Sequence, residues 1–444
     1  MNQPSNLTNR KRTFIFINLI LTCIALTMLS TALTTALPAI VADLQISVTT
    51  GQWLTSGYSL AMAIVMPLTA FLMNRVPTKK LYLSALVIAL IGMVLCALAP
   101  NFPIMMMSRI LQAIGNGILI SMAQVILLTI YPMDRIGAIM GWYGLSITAA
   151  PVIAPTLAGM IVDKLNWHAI FYIVGAIVFV SLIWALNVFE DVLDVTKKKF
   201  DLLSFLLSAV TFGGFTLGFG NLGTYGFASL PVLGALLVGL IGGILFAHRQ
   251  MKAAVPFLDL RVLKTKEYAL SVFGSILLYL VLMGSSMLMP LYVQSILGKS
   301  ATISGLVVLP GSLVLSNIGM FFIHIHTGIW MAVCLNILRC AATGCLLMPF
   351  VTWGNKNIPP ELTAHGTALL TSLRTVAGAI GTAVFVGIMN TVARNSHTLT
   401  GSAALLHGMN VSFLVMTVAS GLLLFTGLFL IKDSRTEVLI EVEN

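Results

Sequence analysis

Charge is scarce in this chain, and negative charge is scarcest. Of its 444 residues only 9% are charged, 14 acidic against 24 basic. None of the 14 acids falls inside a long apolar run, whereas Arg109, Arg339 and Arg374 each do. With 58% hydrophobic residues and a mean hydropathy of +1.00, the apolar surface exceeds what one soluble core can hide. Cysteine is sparse too: Cys23, Cys96, Cys334, Cys340 and Cys345 all lie in apolar stretches without CxxC spacing. Neither a disulfide framework nor a metal site is supported, and the five read as small packing residues. No GxxxxGK[ST] phosphate loop is present, so direct use of ATP has no visible site. No catalytic cluster or cofactor motif stands out, which argues against an enzyme. The first apolar run lacks a small-residue cleavage signature and is expected to be a retained helix.

What the chain does contain is a succession of apolar runs close to the roughly 20 residues that cross about 30 Å of hydrocarbon. Only helices satisfy every backbone polar group there in so many successive segments. The expected fold class is therefore an all-α polytopic membrane protein. Its spans fall near 14–37, 51–73, 80–99, 103–128, 136–162, 167–188, 202–221, 230–248, 268–291, 302–323, 328–350, 365–389 and 408–431, an odd number. The net charge of +10 could suggest a nucleic-acid partner, but the basic residues sit in short loops. Arg10, Lys11 and Arg12, then Arg75, Lys79 and Lys80, then Arg135, then Lys197 to Lys199, then Arg249, Lys252, Arg261, Lys264 and Lys266 alternate with loops nearly free of charge. Membrane orientation explains this better and places these loops and the N-terminus in the cytoplasm. Charged connectors at 190–201 and 248–267 divide the chain into a six-helix unit over 1–188, a connector with two intervening helices over 189–254, and a remainder over 255–444. Segments 202–221 and 230–248 carry almost no polar group and are expected to face lipid or the outside of the bundle.

A charge at bilayer depth persists mainly where it faces a bundle interior, a partner or a water-filled path. In the fourth helix Arg109, Gln112 and Asn116 follow at i, i+3 and i+7, and Gln124 returns within the same arc, so one face is polar. Gly115 and Gly117 beside them permit close approach of a neighbouring helix. This face either lines a functional cavity or ties helix ends together. In the fifth helix Pro151, Pro155 and Gly159 repeat beside Ala150, Ala154 and Ala158, a small, kinked surface suited to close contact. Trp53 and Tyr58 suit either stacking on an aromatic solute or an interfacial belt. Thr34, Gln294, Asn336 and Arg339 are further polar candidates for a cavity, and His324 and His326 titrate near neutral pH or are simply wetted at the outer interface. Glu437, Glu441 and Glu443 form a solvated tail.

Several stretches in order, QWLTSGYSLAMAIVMPLTAFL (52–72), RILQAIGNG (109–117), GLSITAAPVIAPTLAG (144–159), PFLDLRVL (256–263), LMPLYVQSILG (288–298), SGLVVLPGSL (304–313) and PPELTAHGTALLTSLRTVAGAIGTA (359–383), resemble the drug:proton antiporters of the major facilitator superfamily. The similarity is to the fourteen-helix branch of EmrB/QacA and lincomycin-resistance pumps, and it covers nearly the whole chain. It implies two six-helix bundles related by pseudo-symmetry, two intervening helices, and alternating access around a central cavity. It also implies that Arg109 and Gln112, with Asn116, Gln124 and Arg374, belong to the proton-coupling and translocation path. Gly144, Pro151, Pro155 and Gly159 fall in the antiporter signature of the fifth helix, with Ala154 where a glycine is usual. Gly378 and Gly381 fall on glycines of the penultimate helix. Asn74, Arg75, Lys79 and Lys80 belong to the cytoplasmic loop motif.

The departures are as informative. Leu29 stands where the family's first helix usually carries Asp, so the expected carboxylate is missing. The loop after the second helix has Ala70, Asn74 and Pro77 in place of Gly, Asp and Gly, which puts its latch in doubt. LPGSLVLSN (309–317) runs straight into IGMFFIHIHTGIW (318–330), where the family continues through a helix end, a basic loop and another helix, so the resemblance implies that about 30 residues are absent and the C-terminal half is shortened. If 302–323 spans, Lys356, Lys432 and Arg435 fall outside; if it re-enters and turns near Ser316, Asn317 and Gly319, they stay inside. Charge bias favours the hairpin. The expected function is proton-coupled efflux of amphipathic small molecules or drugs across a bacterial plasma membrane, without a cofactor or nucleic acid and with protons and membrane lipid as partners. The alternatives are an exporter or facilitator of anionic or zwitterionic solutes, favoured by buried arginines without a buried acid, and a transport-dead receptor or scaffold.

Overall fold

The computed structural model describes residues 7–193, 195, 201–221, 228–253, 256–291, 313–324, 331, 334–335, 346–347, 350–359, 362–396 and 401–426. Apolar runs separated by polar caps build the helices. These are α1 (Asn9–Asp43), α2 (Val48–Arg75), α3 (Thr78–Ala97), α4 (Phe102–Ile130), α5 (Met133–Lys164), α6 (His168–Val188), α7 (Leu202–Gly220), α8 (Leu230–Lys252), α9 (Lys266–Leu291), α10 (Leu313–Phe321), α11 (Thr363–Asn395) and α12 (Ser402–Phe425). A 3₁₀ turn, Leu260–Lys264, precedes α9. Side chains of Thr8, Ser47, Asn101 and Asp201 accept from the backbone N–H three residues on, satisfying donors that a helix start leaves open. Ten of the described helices are long and apolar enough to cross a membrane.

Among the first six helices, α3 lies on α4 and α6, α1 on α5 and α6, and α2 on α4. Later in the chain α11 packs between α9 and α12, while α10 lies on α12. Among the described residues these groups meet directly where α11 lies against α2 and, to a smaller extent, α4. The two intervening segments meet the two alternatives expected of them, α8 facing outward and α7 lying against the bundle with Leu203, Leu206 and Val210 exposed. Leu237, Val238, Ile241, Ile244 and Leu245 of α8 are exposed. By contrast α7 packs against both α2 and α11 as well as α8. Its small residues explain this: Ser208, Gly213 and Gly214 are buried, and at Gly213 the nearest atoms belong to Leu60 and Ile64 of α2.

The proposed turn at 316–319 is also corrected. Ser316, Asn317 and Gly319 lie inside the continuous helix α10, with Ser316 and Asn317 fully buried. A turn at that depth leaves backbone N–H and C=O groups open, whereas a helix closes them internally. Asn317 Nδ2 donates to Ser420 Oγ at 3.1 Å, and Asn410 Nδ2 donates to the Ile323 carbonyl at 3.0 Å. As the number rises from 317 to 323 the partner falls from 420 to 410, so α10 runs antiparallel to α12. Residues 302–312 of that span lie outside the described residues.

The ends of the bundle differ in charge. Thr367 near the start of α11 lies 3.5 Å from Asn355, and Tyr268 near the start of α9 donates to the Gly366 carbonyl at 2.6 Å. Lys356 therefore shares an end with Lys266 and the other basic residues. At about 1.5 Å per residue the 33 residues of α11 carry Arg394 to the opposite end.

Candidate functional site

Helix α4 is buried along most of its length, and its polar face is buried with it: Arg109, Ser121 and Gln124 are 0% exposed, Gln112 1% and Asn116 2%. The structure brings four side chains together here. Arg109 Nε donates to the Leu54 carbonyl at 3.2 Å and Nη1 to Gln112 Oε1 at 2.7 Å. Gln112 Nε2 in turn donates to the Gly92 carbonyl of α3 at 2.9 Å. The guanidinium carbon sits 4.0 Å from the centre of the Tyr58 ring, and Asn116 Nδ2 donates to the Tyr58 hydroxyl. The fork of Arg109 is thus held by carbonyl oxygens and an aromatic face, without a carboxylate. Tyr58 is 5% exposed with one ring face under the arginine, whereas Trp53, five residues earlier, is 40% exposed.

Close helix contact makes this arrangement possible. A Cβ at Gly115 would lie 2.7 Å from the Ala85 carbonyl oxygen, so only glycine lets α3 and α4 touch there. At Gly117 the nearest atom, in Met62, is 3.4 Å away, an ordinary contact. Gln124 lies two turns beyond Asn116, and both of its side-chain amide atoms lack a partner, as do Arg109 Nη2, Asn116 Oδ1 and Ser121 Oγ.

Arg374 forms a second centre on α11. It is 3% exposed, its guanidinium carbon is 4.9 Å from the Tyr279 ring of α9, and Nε and Nη1 have no hydrogen-bond partner among the described residues. Tyr143 of α5, itself buried, interacts electrostatically with Arg374, Tyr279 and Cys23 of α1. The next residue, Thr375, places its hydroxyl 3.2 Å from Met66 Sδ of α2. This cluster therefore draws on helices from both ends of the chain.

The remaining candidates are dispersed. Thr34 is exposed and its hydroxyl donates to the Thr31 carbonyl within its own helix, at 2.6 Å. Ala150, Ala154, Ala158 and Gly159 of α5 are buried, while Pro151 and Pro155 are half-buried; α1 is the principal neighbour of that helix. Gly144 is buried. In the loop motif Asn74 Nδ2 donates to the Ala70 carbonyl at 3.0 Å, and Arg75 lies over Phe71. Asp191 accepts from the Lys79 backbone N–H at 2.9 Å, and Lys79 Nζ donates to the Leu186 carbonyl at 2.7 Å; Lys80 is exposed. Leu29 packs at 2% exposure in the apolar core. Cys23 and Cys96 are buried and Cys334 is exposed. Gln294, Asn336, Arg339, His326, Cys340, Cys345, the lysines at 197–199 and the acidic tail lie outside the described residues.

Sequence reasoning missed Tyr143 and Tyr279, the partners of Arg374; each is a lone tyrosine in an apolar run, which only a fold can pair with a charge. It also missed a buried network in which Asn18 Nδ2 donates to the Ser181 carbonyl at 3.0 Å and Tyr82 donates to Asn18 Oδ1 at 2.8 Å. Thr22 joins Tyr82 and Ser181 at 3.1 and 2.6 Å. These groups satisfy one another and fix α1, α3 and α6 together.

At the basic end the segment after α8 joins several helices. Phe257 stacks on Phe71 of α2 and meets Phe205 of α7 edge-on. Gln250 Oε1 accepts from the Leu258 N–H, and His365 Nδ1 of α11 accepts from the Asp259 N–H. Asp201 at the start of α7 receives both Nε and Nη2 of Arg249 at 3.0–3.2 Å. Burial raises its carboxyl, but hydrogen bonds from Arg249 and Ser204 outweigh this and hold the group below its ordinary 3.8.

Comparison with known proteins agrees with this architecture. The sequence profile of the Major Facilitator Superfamily matches residues 15–382. An uncharacterized MFS-type transporter YcnB of Bacillus subtilis is 36% identical, with 87% of this chain and 88% of the relative aligned. The lincomycin resistance protein LmrB of the same organism is 33% identical over 81% of each chain. The alignment with YcnB runs over 417 positions yet takes in 87% of the 444 residues here, about 386, so about 31 positions of the relative have no counterpart. That total equals the length of the segment expected to be absent near 317. Among solved structures, a POT family transporter in complex with a thioalcohol-conjugated peptide superposes with a TM-score of 0.63 over 94% of this chain and 96% of the other, at 16% identity. A bacterial homologue of the human lysosomal transporter Spinster, inward-facing and unoccupied, gives 0.55 over the same shares, also at 16% identity. These likenesses are of fold.

Proposed function

The chain belongs to the major facilitator superfamily, a multi-pass plasma-membrane transporter of small molecules and not an enzyme, and from that premise we propose that it exports amphipathic compounds, drugs among them, in exchange for protons. Relatives named as lincomycin and multidrug resistance proteins support efflux. The observation that carries the reading is the buried set Arg109, Gln112, Asn116 and Tyr58: an ionisable group held fully inside an apolar bundle marks a pathway by default.

In this reading residues 1–188 and 255–444 form two bundles that rock about the α2–α11 contact, with α7 spanning the joint from outside and α8 turned to lipid. Gln124 and Arg374 extend the polar path, and Trp53 and Thr34 stand at its outer mouth. A membrane potential contributes about 2.3 kcal/mol per charge per 100 mV, enough to drive uphill export without ATP. The test uses purified full-length protein in liposomes with an imposed pH gradient, following drug flux and internal pH together. Opposed movement of drug and protons is the expected result; drug flux that ignores the gradient would reduce the protein to a facilitator.

A further inference from the structure

The two buried arginines differ in how they are satisfied. Arg109 gives Nε and Nη1 to oxygen acceptors and keeps only Nη2 open. Arg374 is nearly as buried, yet two of its three guanidinium nitrogens have no hydrogen-bond partner among the described residues. No ion pair joins it to a carboxylate among the described residues, whereas Lys11 pairs with Glu190, Arg249 with Asp201 and Arg261 with Asp259. A buried cation whose N–H groups are unmatched is costly to keep unless something completes it.

We propose that Arg374 is the receptor for an anionic group on the transported solute, a single carboxylate or comparable oxyanion carried on an apolar body. This rests on the reading that the chain moves amphipathic small molecules between its two halves, and it names their class. The open N–H groups offer charge-assisted hydrogen bonds to an oxyanion. The Tyr279 ring, 4.9 Å from the guanidinium carbon, supplies aromatic surface for the apolar part, and buried Tyr143 lies within electrostatic reach of both. The position is right for alternating access: Thr375 meets Met66 of α2, so parting of the halves uncovers Arg374 to one side of the membrane. Arg109, tied to Leu54 and Gln112, has no comparable opening and serves another part of the cycle.

The test is thermal unfolding of the purified full-length protein with benzoate, its neutral isostere benzamide, or sodium chloride at matched ionic strength. Benzoate is expected to raise the Tm of the wild-type protein and of Arg394→Gln, an exposed arginine on the same helix, while benzamide and chloride do not. Arg374→Gln should abolish the shift. Should that variant fail to fold, Arg374→Lys decides: it keeps the charge without the planar fork, and benzoate should bind about tenfold more weakly or worse. Equal shifts from benzoate and benzamide, undiminished benzoate binding in either Arg374 variant, or a chloride shift as large as that of benzoate would overturn the proposal, the last by making the site one for an inorganic counter-ion. Because binding is read without a gradient, the two readings fail separately. Benzoate binding through Arg374 without proton-driven flux would leave this inference standing and remove the antiport, and the reverse result would do the opposite.

Discussion

The guanidinium of Arg109 lies 4.0 Å from the centre of the Tyr58 ring, and Tyr58 in turn accepts a hydrogen bond from Asn116, so one tyrosine links two polar residues of α4 to α2. Arg374 repeats the arginine-on-tyrosine pairing with Tyr279 at 4.9 Å. In both places an aromatic face stands where an acid is absent, giving electrostatic attraction without a group that itself needs neutralising.

The first centre should be needed for flux more than for insertion. Arg109→Ala leaves Gln112 Oε1 without its donor and takes a second donor from the Leu54 carbonyl, which keeps its helical position in α2; one unsatisfied group costs about 1–3 kcal/mol, small against the apolar burial of a bundle this size. Membrane abundance near the wild-type level with drug efflux reduced at least tenfold is expected. Loss of the protein from the membrane would show that Arg109 is only a structural tie.

Gly115 and Gly117 should part company on substitution. Gly115→Ala drives a methyl against the Ala85 carbonyl and the Ala89 backbone N–H at 2.7–2.9 Å, and overpacking of this kind costs about 1–3 kcal/mol. Gly117→Ala meets only ordinary contacts. Melting of the two purified variants should show a clear drop for the first and little change for the second.

Acid should loosen the intervening helices. The Asp201 carboxyl is held below 3.8 in the fold, so its stabilising contribution is present above its unfolded value and is lost as pH falls through the lower, folded value. The pair with Arg249 is partly exposed, 27% and 42%, so the effect is modest, under about 1 kcal/mol. Asp201→Asn should remove that part of the pH dependence of melting below pH 4 while retaining the cap on α7; an unchanged acid limb would show that another group governs it.

Topology follows from the two ends of α11. In a variant lacking the five cysteines, Ser396→Cys should react with a membrane-impermeant thiol reagent on intact cells and Lys356→Cys should be protected. The reverse pattern would invert α11 and α12 relative to the basic loops.

Several features were legible before any coordinates: the all-helical membrane fold, the first nine spans, and the polar arc of α4. They follow from local rules, since about 20 apolar residues must span as a helix and the period of 3.6 residues places positions 109, 112 and 116 on one face.

Partners were not. Nothing in an apolar run tells which helix lies opposite, so the pairing of Arg374 with Tyr279 and Tyr143, the Asn18–Tyr82–Ser181 network and the seat of α7 between α2 and α11 had to come from packing. The turn expected near Asn317 failed for a related reason. Charge counting judges only which side a loop favours, whereas burial beside α12 demands that every backbone group be bonded, and a helix meets that demand. Sequence determined which segments enter the membrane and which side groups they carry, because those depend on composition over short windows. Tertiary structure alone decided that Arg109 Nε finds an acceptor at Leu54 while Nε of Arg374 finds none among the described residues, because that bond requires two atoms from distant parts of the chain to meet.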